Sequence, residues 1–138
     1  MMKISEIGTL ASDLWKKDNM DFQSDKTLAQ LKEEFTKAFP HLKIAFYKRD
    51  HKVGEGSPKQ EEHDEALKLS ELGITVNSEI QISELMTVAQ FESTLEDQLG
   101  LHVQVFRKSG DLWLQTISTD EWTLKTQNEK GSYTNQNV

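Results

Sequence analysis

The chain contains no cysteine among its 138 residues and only two prolines. Without cysteine there can be no disulfide, zinc–thiolate site, thiol nucleophile or iron–sulfur cluster. Long apolar runs are also missing, so no segment could cross a membrane. The first twenty residues carry several charges and lack the apolar stretch of a signal peptide. These absences predict a cytoplasmic protein without a membrane partner, a metal or a cofactor.

Basic charge is scarce in the second half of the chain. Residues 1–70 carry 12 basic and 13 acidic side chains, whereas residues 71–138 carry 4 and 10, for a net charge of −7. An acidic field repels phosphate backbones, which disfavours nucleic acid as a partner. Hydrophobic residues make up 36% of the chain, enough for the core of one domain.

Two stretches about sixty residues apart share one pattern, a capped helix followed by a strand. Residues 27–30 and residues 87–90 both have the form of a capping box. Apolar residues at helical spacing follow each box, and Pro40 or Gly100 marks the end of the helix. Alternating apolar residues then predict a strand in each stretch, namely Leu42, Ile44 and Phe46 in the first and Leu101, Val103 and Val105 in the second.

We interpret this pattern as an internal duplication of a helix–strand unit, with copies at about 27–70 and 87–129. A single domain is expected to span residues 1–130, with a further helix over 4–17 and a flexible tail at 131–138. The expected fold is α+β, a two-layer sandwich. Its mostly antiparallel sheet of about four strands carries helices on one face.

Two further segments are expected to be strands. Residues 74–82 place four isoleucine and valine side chains on one parity, which favours a single strand over a hairpin. Ser109 and Gly110 are interpreted as a two-residue turn that joins the second repeated strand to a return strand over residues 112–117. That turn pairs Phe106 with Trp113 and Gln104 with Gln115.

One face of this hairpin carries aromatic and amide side chains, and it is the candidate binding surface. Tyr47 is added to it from the first copy, while Arg107 and Lys108 are expected at its rim. The candidate binding residues are Tyr47, Gln104, Phe106, Arg107, Lys108, Trp113 and Gln115. Alternatively, the N-terminal helix or the segment around Trp122 covers these residues as ordinary core.

Three classes of function stay open for this sequence. Contiguous exposed aromatics are typical of a protein-interaction surface, for a partner protein or a second copy, and this class is favoured. Aromatics with a basic rim also stack single-stranded RNA. An enzyme would need a site assembled from distant residues, because no catalytic motif is present. The acidic run at 60–65 is expected to be solvated, since consecutive carboxylates cannot all reach one metal ion.

The block from Gly100 to Thr116, with residues 120–124 and 127–128 after it, resembles a family of small uncharacterised bacterial proteins. The segment 39–48 and the glycine-containing loop 54–58 fit the same pattern. The resemblance covers most of the chain and implies a stand-alone bacterial domain. It implies no catalytic residue, ligand or partner. The predicted function is therefore a non-enzymatic protein-binding or self-assembly module.

Overall fold

The computed structural model describes residues 18–48 and 56–136. The predicted α+β class is confirmed, with three helices and five strands among these residues. In chain order the elements are β1 (Asp18–Phe22), α1 (Leu28–Ala38), β2 (Leu42–Tyr47), β3 (Ser78–Ile82), α2 (Val88–Leu99), β4 (His102–Ser109), β5 (Leu112–Gln115) and α3 (Leu124–Gln136). Short 3-10 helices at Lys59–Glu61 and Leu69–Leu72 lie between β2 and β3. The helix expected over residues 4–17 lies outside the described residues.

The described strands form two antiparallel sheets rather than the single sheet of about four strands expected. One sheet pairs β1 with β3, and the other has the order β2-β4-β5. Strand β1 escaped prediction because only Met20 and Phe22 mark its buried face. Its other residues are aspartates and an asparagine, which are depleted in strands.

Strand β3 is shorter than the strand predicted over residues 74–82, since it begins at Ser78. Val76 is 72% exposed, so its parity with the buried isoleucines does not reflect burial. The segment just before β3 is held by a side-chain contact instead of strand pairing. The Asn77 side-chain oxygen accepts a hydrogen bond from the Ser24 backbone N–H at 2.9 Å. This contact ties the start of β3 to the turn after β1.

Both predicted capping boxes are confirmed. The Thr27 hydroxyl accepts from the Gln30 N–H at 3.2 Å, and the Thr87 hydroxyl accepts from the Gln90 N–H at 3.0 Å. Both glutamine side chains return a bond to the threonine N–H. The caps satisfy helix-end donors from the local sequence alone. Gly100 ends α2 in the left-handed conformation that the sequence predicted.

In both α1 and α2, the first backbone N–H groups donate to carbonyls of a loop that lies later in the chain. The N–H of Leu28 donates to the Leu67 carbonyl at 2.9 Å, and the N–H of Val88 donates to the Trp122 carbonyl at 3.0 Å. The next residue of each helix donates to a carbonyl two residues earlier in that loop, Glu65 in one case and Asp120 in the other. The leucine two residues further along each loop, Leu69 or Leu124, is fully buried and donates its N–H to the residue just before the helix cap, Lys26 or Met86.

One residue pair in each sheet joins positions separated by about sixty residues, which is the offset between the two helix–strand segments. In the first sheet Met20 lies opposite Ile80, sixty residues later. In the second sheet Ala45 lies opposite Gln104, fifty-nine residues later. Because the strands are antiparallel, the pairs on either side exchange around this centre, as in Asn19 with Gln81 and Asp21 with Glu79. Each of these pairings therefore has the geometry of a local two-fold axis.

The helix α3 continues to Gln136, and so it includes most of the segment 131–138 expected as a tail. Gly131 is buried against the start of β2, where an added Cβ would lie 2.7 Å from the Cβ of His41. Few apolar residues mark this helix, and a glycine within a helix weakens its prediction. The approach of the helix backbone to His41 accounts for the glycine.

Candidate functional site

The β4–β5 hairpin has a register two residues away from the predicted one. Ser109 lies opposite Leu112, so the turn is Gly110-Asp111, with Gly110 at a φ of 60°. Glycine at the first turn position suits the turns that follow strand twist. The predicted pairs of Phe106 with Trp113 and of Gln104 with Gln115 are therefore wrong. Phe106 lies opposite Gln115 instead.

The shift of two residues does not change which side chains share a face of the hairpin, because side chains alternate with a period of two. Phe106, Trp113 and Gln115 share one face, as the sequence predicted, and Lys108 lies on that face rather than at its rim. Lys43 joins them from the neighbouring strand, directly opposite Phe106. We call these five residues the aromatic face. Lys43 was not predicted there, although it shares the parity of Tyr47 in β2.

Two lysines of the aromatic face lie over its rings. The Lys43 Nζ lies 5.2 Å from the ring centroids of both Phe106 and Trp113. The Lys108 Nζ lies 5.7 Å from the Trp113 ring centroid. These distances are typical of cation–π interactions. Neither ammonium group forms an ion pair with a carboxylate of the described residues.

Lys43 has a lowered pKa on this face. Desolvation by burial lowers the pKa of Lys43, and the positive charge of Lys32 lowers it further, against the opposing charge of Glu62. The charged form of Lys43 is thus held beside aromatic rings in a partly dry environment. An anionic group placed over this face would stabilise that charge.

Ser57 covers the centre of the hairpin face next to the aromatic side chains. Its backbone N–H donates to the Gln115 Oε1 at 3.0 Å, and the Gln115 Nε2 donates to the Ser57 carbonyl at 3.0 Å. Its hydroxyl donates to the Gln104 Oε1 at 3.1 Å. Gln104 is only 1% exposed beneath it. A Cβ on Gly56 would lie 2.6 Å from the Gln115 Oε1, so a larger residue there would displace the Gln115 side-chain amide.

Tyr47 is buried at the covered edge of the three-stranded sheet. It forms an isolated bridge with Glu62, and the neighbouring backbone bonds from Lys48 to Glu61 and from His63 to Phe46 are both 2.8 Å. The segment 59–63 therefore protects the outer edge of β2. Burial of this kind hides Tyr47 and Gln104 from a partner, while Phe106 and Trp113 stay half-buried.

Arg107 does not join the aromatic face, because it lies on the opposite side of β4. Its Nη1 donates to the Gln127 Oε1 at 2.8 Å, and its guanidinium carbon lies 5.6 Å from the Trp122 ring centroid. Trp122 also lies beneath the Lys130 ammonium, at 5.9 Å. The segment around Trp122 thus packs against the opposite side of the sheet and does not cover the aromatic face.

A cleft of about 160 Å³ lies where the aromatic face meets the segment 56–62. The residues that line it are Lys43, Ala45, Tyr47, Ser57, Lys59, Glu62, Phe106 and Gln115. A larger cavity of about 370 Å³ lies between α1 and the two-stranded sheet. The smaller cleft adds Lys59 and Glu62, whose charged groups lie 3.9 Å apart and balance each other.

The acidic and histidine side chains of the described residues do not assemble into a metal site. Residues 18–48 and 56–136 contain no group of three or more His, Asp or Glu side chains that could hold a metal ion. Two carboxylates of the acidic run pair with a lysine instead, since the Lys32 Nζ lies 2.7 Å from Glu65 and 3.6 Å from Glu62.

No helix in the described part of the chain is long and apolar enough to cross a membrane.

Comparison with known proteins identifies no relative of this chain. No protein-family model matches the chain, and neither a curated protein nor a solved structure shows significant similarity to it. The case for a function therefore depends on the geometry of the aromatic face.

The buried Tyr47 makes stability depend on pH in alkaline solution. Desolvation, with a smaller contribution from the charge of Glu62, raises the pKa of Tyr47 to about 12 from its ordinary value of 10. Between these values the unfolded chain loses the phenol proton while the folded chain keeps it, so stability falls as pH rises. We expect wild type to lose up to about 2 kcal/mol more than Tyr47→Phe between pH 10 and 12.

Urea unfolding across this pH range checks the expectation. From pH 7 to 9 Tyr47 is protonated in both states, so the difference between wild type and Tyr47→Phe should stay constant there. Parallel stability curves through pH 12 would show that Tyr47 does not cause the alkaline loss.

Proposed function

We propose that this protein is a non-enzymatic protein-binding module whose binding surface is the aromatic face. The observation that carries the proposal is the pair of ammonium groups of Lys43 and Lys108 over Trp113. They have no carboxylate partner among the described residues. Half-buried aromatics beside ammonium groups that form no direct ion pair are suited to an anionic group of another protein. Tryptophan is also enriched among residues that dominate binding energy.

Two exposed apolar side chains lie on the opposite face of β5 and extend the proposed contact across this strand. Leu112 is 66% exposed and Leu114 is 42% exposed. They are two of the four large apolar side chains that are exposed in the described parts of the chain. Adjacent exposed apolar groups on a soluble protein typically mark an interaction site. The proposal therefore places the partner at β5, with Trp113 at the centre of the contact.

We further propose that the two helix–strand segments are an internal duplication within a two-layer cytoplasmic domain. The matched capping boxes and the pairing of corresponding residues support this. Under this reading the bridge of Tyr47 to Glu62 corresponds to the pair of Phe106 with Gln115. The first copy then closes its sheet edge with a short bridge, whereas the second copy closes it with β5 and presents a new edge.

The test compares wild type with Trp113→Glu and the matched variant Leu85→Glu. Leu85 is 65% exposed and is not part of the aromatic face, so its substitution controls for adding a carboxylate at an exposed site. Each protein is immobilised, exposed to cell extract and washed with increasing salt, and its mass is measured by light scattering. We expect Trp113→Glu alone to lose its captured protein while its circular dichroism stays unchanged. Identical captured proteins and masses for all three would overturn the proposal.

Single-stranded nucleic acid is the second candidate, favoured by the lysines stacked on Phe106 and Trp113. Stacking platforms with basic side chains bind single strands with little sequence preference. The net charge of −7 opposes this candidate. Anisotropy of a labelled single-stranded oligonucleotide decides between the two. Binding that Trp113→Glu abolishes and salt weakens steeply would replace the protein-binding proposal.

A further inference from the structure

The outer edge of β5 is open among the described residues. Ser109 and Leu112 close a two-residue turn, so their backbone groups bond each other and the pattern alternates along the hairpin. The bond from the Thr116 N–H to the Val105 carbonyl, at 3.2 Å, continues this alternation. The backbone N–H and C=O groups of Trp113 and Gln115 therefore point away from β4.

No described residue outside the hairpin fills this edge. Backbone bonds from other described segments reach β2, both helix starts and the beginning of α3, but none reaches Trp113 or Gln115. The corresponding edge of β2 is covered by residues 59–63. Exposed strand edges pair readily with another strand, and proteins usually cover or charge them. An open edge beside exposed leucines and a tryptophan is a site for an added strand.

The two sides of this edge have different chemistry. A strand added along β5 would place alternate side chains on its two faces. Those on the aromatic face would lie near the Lys43 and Lys108 ammonium groups over Trp113. Those on the other face would lie beside the exposed leucines, Leu112 and Leu114. The first set favours carboxylates, and the second favours apolar groups.

We propose that β5 accepts an extended segment of a partner protein as an added strand, in which acidic side chains alternate with apolar ones. This inference rests on the proposed protein-binding function and names the kind of segment bound. Backbone hydrogen bonds to an open edge supply affinity in this mode, and alternate side chains supply specificity. The lysines select the acidic positions, and the leucines select the apolar positions.

A second copy of the chain is a poorer occupant of the same edge. Pairing β5 with β5 would bring two Trp113 side chains together, each with its own pair of lysines. Like charges on neighbouring strands are destabilising. A separate acidic segment instead complements the local positive charge.

The experiment measures the anisotropy of a labelled peptide of alternating glutamate and valine, mixed with the full chain. The first control is a peptide of the same composition with glutamates and valines in separate blocks. The second carries N-methyl groups on the amides of one edge, which removes the donors that pair with β5. We expect the alternating peptide to bind at least about tenfold more tightly than either control. Equal binding of all three would overturn the inference.

Variants of the chain distinguish a failure of this inference from a failure of the proposed protein-binding function. Leu114→Glu and Lys108→Glu act on opposite faces of the hairpin, and each should weaken the alternating peptide at least about tenfold, unlike Leu85→Glu. If these variants change nothing but Trp113→Glu still loses its captured protein, the module binds proteins by another mode. A dimer that Leu114→Glu splits would assign the edge to a second copy. Oligonucleotide binding in place of peptide binding would overturn both proposals.

Discussion

Replacing Phe91 with alanine is expected to lower the free energy of unfolding by about 3–5 kcal/mol. Phe91 is fully buried in α2, and its ring centroid lies 5.1 Å from that of Phe35 in α1. Phe35 in turn lies 5.2 Å from Phe39. The two helices share this aromatic cluster, so truncation leaves a cavity that neither helix can fill without moving.

Urea denaturation of Phe91→Ala, followed by far-UV circular dichroism, checks this expectation. Leu85→Ala is the control, because a residue that is 65% exposed should change stability by no more than about 0.5 kcal/mol. The double variant with Phe35→Ala should show a coupling of about 0.5–1.5 kcal/mol between the rings. A loss in Phe91→Ala as small as that of Leu85→Ala would mean that the helices do not share a core.

Features that depend on neighbouring residues could be read from the sequence. The capping boxes at Thr27 and Thr87 are set by residues three apart, so their threonines and glutamines predict them directly. The parity of β4 and β5 was also predicted correctly, and with it the grouping of Phe106 with Trp113. The pairing itself was not, because a turn shifted along the chain leaves the alternation unchanged.

Features that depend on distant residues could not be read in the same way. Strand β1 exists through its pairing with β3, sixty residues away, and its own sequence has little strand character. Ser57 was expected in an exposed loop, yet it bonds Gln104 and Gln115 across 47 and 58 residues. Contacts between residues so far apart in the chain leave no local sequence pattern. The sequence could therefore identify side chains of the candidate face, but it could not identify Ser57 as a residue that packs over them.

Replacing Gln127 with leucine is expected to cost about 2–3 kcal/mol of stability, because it leaves buried polar groups without partners. Gln127 is fully buried in α3. Its Oε1 accepts from the Arg107 Nη1 at 2.8 Å, while its Nε2 donates to the carbonyl and the hydroxyl of Thr119 at 2.7 and 2.8 Å. One amide thus joins α3 to β4 and to the loop before the helix.

Three further substitutions, measured by urea denaturation, test whether the Gln127 amide holds α3 against β4 and the preceding loop. Gln98→Leu, at an exposed position of α2, should change stability by no more than about 0.5 kcal/mol. Gln127→Glu keeps an acceptor for Arg107 but loses the donors to Thr119, so its loss should be smaller than that of Gln127→Leu. Adding Arg107→Met to Gln127→Leu should recover part of the loss, because the charge left unpaired is then removed. Equal losses in Gln127→Leu and Gln98→Leu would mean that this amide does not hold α3, and Arg107 would then be available for another contact.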